Sequence, residues 1–247
     1  MKWRTAISVQ KDGELYMRGV RLVDLIGKAS FVEAIFLALQ GRFPKKNETK
    51  MLDAVFVSLI EHGIEVPSAF VARSVASTGN SANAAIAAGV LAMGDFHGGA
   101  IEGAARYLQS KETPRGIVAQ ALKNKEHLPG FGHKVYKTED PRTHALFEKA
   151  RELKLPQTYI MRARAIEREL KRASGNGIPL NIDGAVAAVM SELGFGWRLG
   201  KPFFILGRLP GLIAHIEEEY QNEKPYRRLD SEDVEYVGLP IKKHNHK

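Results

Sequence analysis

SFVEAIFLALQG, residues 30–41, reads from start to stop as a single α-helix. Ser30 and Glu33 have the S-x-x-E spacing of a capping box, in which each side chain satisfies a backbone N–H that the helix start leaves unpaired. Gly41 supplies the left-handed residue that closes the run. The same punctuation divides most of the chain. A second helix covers about 48–62 and stops at Gly63, and a third starts on Pro67 and ends at Gly79. Residues 81–94 form a small-residue helix. Further helices are predicted at 98–110, 114–124, 143–154, 156–173, 182–193 and 198–222. Only residues 4–17 alternate, weakly, around Asp12-Gly13, a hairpin signal. No β-α-β alternation and no solenoid period is present. The class is therefore all-α with a short N-terminal β-hairpin.

Two glycine-rich breaks, DFHGGAIEG (95–103) and GFGWRLGKP (194–202), bracket the middle of the chain. They predict a large helical domain from residues 1–98 and 197–247, and a small one from residues 99–196.

A 247-residue chain with 44% hydrophobic and 26% charged residues has the composition of a globular protein with a sizeable core. It has no cysteine, which excludes disulfides and thiolate chemistry and fits a reducing cytoplasm. The start, MKWRTAISVQ, lacks a signal-peptide core, and the longest apolar run (84–94) is shorter than the about 20 residues a bilayer requires. A cytoplasmic protein without a membrane partner is expected. The formal net charge of +8 favours an anionic partner: nucleic acid, a membrane surface or a phosphorylated small molecule. Composition does not choose among them. The basic run at 162–173 is interrupted by Glu167 and Glu169, the pattern of a solvated helix face. No zinc or calcium spacing, Walker loop, dinucleotide fingerprint or nucleophile elbow is found, so no metal is expected.

The histidines divide into two groups. His127, His144, His215, His244 and His246 have ordinary surface or boundary settings, whereas His62, His97 and His133 each abut a glycine near a helix end. Such positions can face a cleft. LPGFGHKVYKTEDPRTH (128–144) places His133 on a glycine turn before an Asp-Pro-Arg corner; its residues alone read equally as a surface turn or a binding loop. Asp183, a carboxylate among apolar residues, reads first as a helix N-cap. A buried carboxylate with a raised pKa, suited to general-base work, is the alternative.

These segments together resemble the citrate synthase superfamily. GFGHKVYKTEDPR is similar to its signature, HGGAIEGA (97–104) to its HGGANEA-type motif and NIDGA (181–185) to its NVD motif. EHG (61–63) and ILGRLPGLIAHIEEE (205–219) complete five matches in family order. Within the superfamily the chain most resembles short citryl-CoA lyases and the citryl-CoA lyase domain of ATP-citrate lyases, in its brevity, in NIDG and in the ending YRRLDSEDVEYVGLP. His97 leans toward synthase-like chemistry, and EHG in place of an acidic HE pair leans away from it.

The resemblance implies an all-helical homodimer whose large and small domains close on the substrate. It makes Asp183 the base at the acetyl-CoA methyl group and His97 the donor to the enolate oxygen. His133 faces the oxaloacetate carbonyl or the citryl hydroxyl. His62, Arg142 and Arg208 bind substrate carboxylates, and Arg227 or Arg228 adds an arginine across the dimer. Lys134, Lys137 and Lys171 are expected to meet the phosphates of coenzyme A, and the two glycines before His133 to let the coenzyme approach the main chain. The implied reaction is cleavage of citryl-CoA to acetyl-CoA and oxaloacetate. Citrate or 2-methylcitrate synthesis is the alternative, and a citryl-CoA synthetase or ligase is a possible partner. A basic helical nucleic-acid-binding protein is the rival from another class; with the enzyme reading, no nucleic-acid partner is expected.

Overall fold

The computed structural model of the chain describes residues 2–132, 136, 139–175 and 177–240. The expected hairpin is present: β1 (Ser8–Lys11) pairs antiparallel with β2 (Glu14–Met17), with Val9 opposite Tyr16. Asp12 (φ 52°) and Gly13 (φ 78°) are both left-handed, as a two-residue primed turn demands. A third strand, β3 (Val20–Arg21), adds to β2 and runs into one helical turn, α1 (Leu22–Leu25). Elements this short leave no periodicity to read in a sequence.

The remaining elements among the described residues are helical. α2 (Phe31–Gln40) has the predicted capping box: Glu33 N–H donates to Ser30 Oγ at 3.2 Å, and Ser30 N–H to Glu33 Oε2 at 2.8 Å. Then come α3 (Lys46–Leu59), α4 (Pro67–Ser77), α5 (Ala82–Leu91), α6 (Ala100–Leu108) and α7 (Pro114–Asn124). They are followed by α8 (Pro141–Glu152), α9 (Thr158–Ser174), α10 (Ile182–Glu192) and α11 (Gly200–Asn222). Prolines occupy the first turns of α4, α7 and α8, where the missing N–H has no helical partner to lose. α3 stops three residues short of the predicted Glu61–His62 end.

α10 is the central helix. Ile182 and every residue from Gly184 to Ser191 are buried, because Ala, Val and Met surround its whole circumference. It packs against α3, α6, α8 and α9. Phe36, Phe195 and Phe203 meet edge-on beside it, with centroids 5.2 and 4.7 Å apart. The 23-residue α11 lies along α3, α4, α5 and α6. At its far end the buried Arg73 of α4 donates to Glu219 at 2.6 Å. Arg227, beyond the helix, donates to the same carboxylate at 2.9 Å. These bonds fasten the segment after α11 to the helical body.

Candidate active site

The end of α3, the turn before α6, the first turns of α8 and α10 and the middle of α11 converge on a cavity of about 180 Å³. His62, His97, Arg142, Asp183 and Arg208 all line it. Five residues singled out in the sequence, spread over almost 150 positions, thus share one space.

Asp183 sits in the first turn of α10 but does not cap it. The cap is Asn181, whose Oδ1 accepts from Asp183 N–H (3.1 Å) and Gly184 N–H (3.2 Å). This corrects the N-cap reading and leaves the Asp183 carboxyl for the cavity. Among the described residues it has no hydrogen-bond partner. Burial pushes its pKa above the ordinary carboxylate range, with a contribution from Asp140, against the opposing pull of Arg142 and Arg208.

His97 is held from behind. Its Nε2 lies 2.8 Å from Ser68 Oγ and 3.4 Å from the Ser68 N–H, which donates to it. Ser68 is fully buried at the start of α4. An Nε2 that accepts carries its proton on Nδ1, so Ser68 fixes the tautomer. Burial first, then Arg208 and His62, lower the His97 pKa, so the ring is a neutral donor near pH 7. The Phe204 ring packs edge-on at 5.5 Å.

Arg208 is buried in the body of α11. Its Nε donates to the carbonyl of Leu59 at 2.8 Å, satisfying the last turn of α3. Its Nη1 has no partner among the described residues. A buried guanidinium with an idle donor on a cavity wall suits an anionic ligand. Arg142 Nη1 lies 3.3 Å from His62 Nδ1 across the cavity mouth. The Glu61 carboxylate holds the His62 turn by accepting the N–H groups of His62 and Gly63, both at 2.7 Å.

The GFG segment is anchored by its main chain. Gly132 N–H donates to Pro179 O at 2.8 Å, Asn181 N–H to Gly130 O at 3.0 Å and Asn181 Nδ2 to Gly132 O at 2.8 Å. Gly130 (φ 84°) lies so close to α10 that an added Cβ would sit 2.7 Å from Gly184 Cα. Helix α10 thus fills the side of Gly130 on which a side chain would stand.

The other site candidates are not among the described residues that line this cavity. His133, Lys134 and Lys137 lie outside the described residues. Lys171 is exposed in the last turn of α9 and does not line the cavity. Arg227 pairs within its own chain with Glu219 (2.7 Å) and Glu223 (3.3 Å), and its neighbour Arg228 is exposed. A second cavity, of about 540 Å³, shares Asp95, Phe96, Ala100 and Asn181 with the first and adds Arg106, His127 and Lys201. Sequence reasoning missed Ser68, Asp140 and Asn181. Asn181 stood in the NIDGA motif and Asp140 in the Asp-Pro-Arg corner; Ser68 left no local signal. No group of three or more His, Asp or Glu is placed to hold a metal among the described residues, and no described helix is long and apolar enough to cross a membrane.

A family model for the citrate synthase C-terminal domain matches residues 38–229, a span containing every residue that lines the first cavity. The chain belongs to the citrate synthase family. Within it, the chain is similar from end to end to citryl-CoA lyase from Hydrogenobacter thermophilus, with 49% identity and a TM-score of 0.93 over 98% of this chain and 97% of that one. ATP citrate lyase from Methanothrix soehngenii, solved with citrate and coenzyme A, is 27% identical with a TM-score of 0.83, over 98% of this chain and 42% of that one. The citrate synthase of Heyndrickxia coagulans is 33% identical over 215 residues, 83% of this chain and 56% of that protein. The chain spans just over half the length of the curated relatives it matches.

Proposed function

We propose that the protein is a citryl-CoA lyase, cleaving citryl-CoA to acetyl-CoA and oxaloacetate. The observation that carries this is Asp183, a carboxyl with a raised pKa and no hydrogen-bond partner among the described residues, sharing one cavity with two arginines and a neutral histidine. The choice of lyase over synthase is supported by the end-to-end similarity to the Hydrogenobacter enzyme.

In cleavage, a base removes the citryl hydroxyl proton; the resemblance assigns this to His133. The oxygen's electron pair closes to the ketone of oxaloacetate as the carbon–carbon bond breaks. The bonding pair moves onto the thioester as an enolate. His97 Nδ1–H meets the enolate oxygen, where the negative charge develops. Asp183, whose pKa burial raises, acts as the acid that delivers a proton to the terminal carbon and forms the methyl group. Arg208 and Arg142, with His62, bind carboxylates of the citryl group or oxaloacetate. Coenzyme A belongs in the larger adjoining cavity, with Lys134, Lys137 and Lys171 as candidate phosphate partners.

The two-domain reading is part of the same proposal. His62, His97 and Arg208 come from residues 1–98 and 197–247, while Arg142 and Asp183 come from 99–196, so closure of one part on the other would exclude water. A cytoplasmic homodimer, with Arg227 or Arg228 reaching the neighbouring site, and a separate citryl-CoA synthetase or ligase complete it.

The test is the product ratio from citryl-CoA and purified protein. Acetyl-CoA and oxaloacetate as main products establish the lyase. Citrate and free coenzyme A mean that water enters and make the protein a citrate synthase, the reading favoured by the similarity to the Heyndrickxia enzyme. No turnover by the protein alone, with turnover restored by a ligase subunit, identifies a partner-dependent subunit.

A further inference from the structure

The first turns of α8 and α10 carry the charged cavity residues Arg142 and Asp183, and a single side chain joins the two turns. Asp140 is fully buried. Its Oδ1 accepts from Arg142 N–H at 3.0 Å, which caps α8, and from Arg142 Nε at 3.1 Å. Its Oδ2 accepts from Arg142 Nη2 at 2.9 Å and from the Ile182 N–H, at the start of α10, at 3.2 Å. Four donors converge on two oxygens, and three of them belong to Arg142.

This arrangement exceeds what a helix cap requires. An N-cap needs one acceptor for one backbone N–H, which Ser, Thr or Asn provides as well as Asp. Here the carboxylate also clamps the Nε–Nη2 edge of the guanidinium, which turns Nη1 toward His62 and the cavity. A planar guanidinium gripped along one edge has little orientational freedom left. The second oxygen reaches the residue immediately before Asp183, so the separation of Arg142 from Asp183 is set through one buried group.

We infer that Asp140 is a positioning residue of the active site: its carboxylate fixes the orientation of Arg142 and locks the first turn of α8 to that of α10, so that Arg142 and Asp183 meet the substrate in register. This rests on the citryl-CoA lyase reading. It places Asp140 one step removed from the substrate, acting through Arg142.

Two variants separate positioning from scaffolding. Asp140→Ser keeps an N-cap acceptor and drops the clamp. Asp140→Asn keeps the shape but turns one oxygen into an NH2 group that opposes a donor. Wild-type turnover of citryl-CoA is measured first, and its absence sinks the parent reading before any variant is made. With wild-type turnover in hand, both variants are expected to keep the wild-type circular dichroism spectrum. Their kcat/KM should fall about a hundredfold, divided between a higher KM and a lower kcat, the scale of a misplaced binding group. Arg142→Gln should show a similar loss, and Asp140→Ser combined with Arg142→Gln should be no worse than Arg142→Gln alone. Wild-type kinetics in Asp140→Ser overturns the inference, and so do losses that multiply in the double variant. Failure of both single variants to fold overturns it too, since Asp140 is then part of the scaffold.

Discussion

Two clusters of buried charge lie along α11, one at its far end and one at its middle, and they are built on different rules. At the far end, the guanidinium of Arg73 meets Glu219 at 2.6 Å, Glu218 at 2.5 Å and Glu223 at 3.6 Å, while Arg227 closes on Glu219 from the other side. Both arginines have carboxylate partners in their own chain. In the middle of the helix, Arg208 has one bond to a backbone carbonyl and an idle Nη1, and Asp183 nearby has no hydrogen-bond partner among the described residues. A charge buried without a partner costs stability. The paired cluster is architecture. The unpaired groups make sense as a site whose missing partner is the ligand.

Substitutions in the two clusters therefore trade opposite properties. The largest expected effect is at Asp183. Asp183→Asn should cost about 10²–10⁴ in kcat, the range for a general acid–base group, without unfolding the protein. The folded-state pKa of Asp183 lies above its unfolded value, so its contribution to stability is full below the ordinary carboxylate range and is lost as pH rises through the folded value. Asparagine has no such loss. The melting temperature of Asp183→Asn should therefore gain on the wild type as pH rises above the ordinary carboxylate range, and a parallel pair of curves would break the comparison.

Arg73→Met is next. It removes one of the two arginines on the buried Glu219 carboxylate, leaves Arg227 as its partner, and should destabilise the fold by about 1.5–3 kcal/mol in denaturant titrations. Below its melting range, kcat/KM should match the wild type. Arg208→Met should do the reverse, losing about a hundredfold in kcat/KM, within the range for truncating a buried charged contact, with a melting temperature close to the wild type. A large stability loss there would mean that the bond to Leu59 O, and not the cavity, is the reason for the arginine. Ser68→Ala sharpens the picture least: it should lower kcat about tenfold by releasing the His97 tautomer, the equivalent of one hydrogen bond. The nitrogen-15 shifts of the His97 ring would report the change directly.

How much of this could be read in the sequence follows from the distance over which each signal acts. Helix starts were legible wherever capping is local: Ser30 with Glu33, and the prolines at 67 and 114. His62, His97, Arg142, Asp183 and Arg208 were found because motifs carry them, and the fold brings them to one cavity. Position within a motif misled at Asp183, since Asn181 two residues earlier has the same capping chemistry and takes the cap. Ser68 could not be inferred, because its hydroxyl acts on a histidine 29 residues away. Asp140 stood in the Asp-Pro-Arg corner, before the predicted helix start at 143, and its bond to Ile182 N–H, 42 residues on, exists only after α8 and α10 have packed.

The Gly130–Gly184 contact has a consequence for how the chain can change. A Cβ at 184 would lie 2.5 Å from Gly130 O, and one at 130 would lie 2.7 Å from Gly184 Cα. The backbone at each position forbids a side chain at the other, so any replacement at either, alone or together, meets a clash. A library randomised at both codons and selected for folding should return glycine at both. The close approach of the loop preceding His133 to the helix bearing Asp183 thus fixes the residue type at both positions.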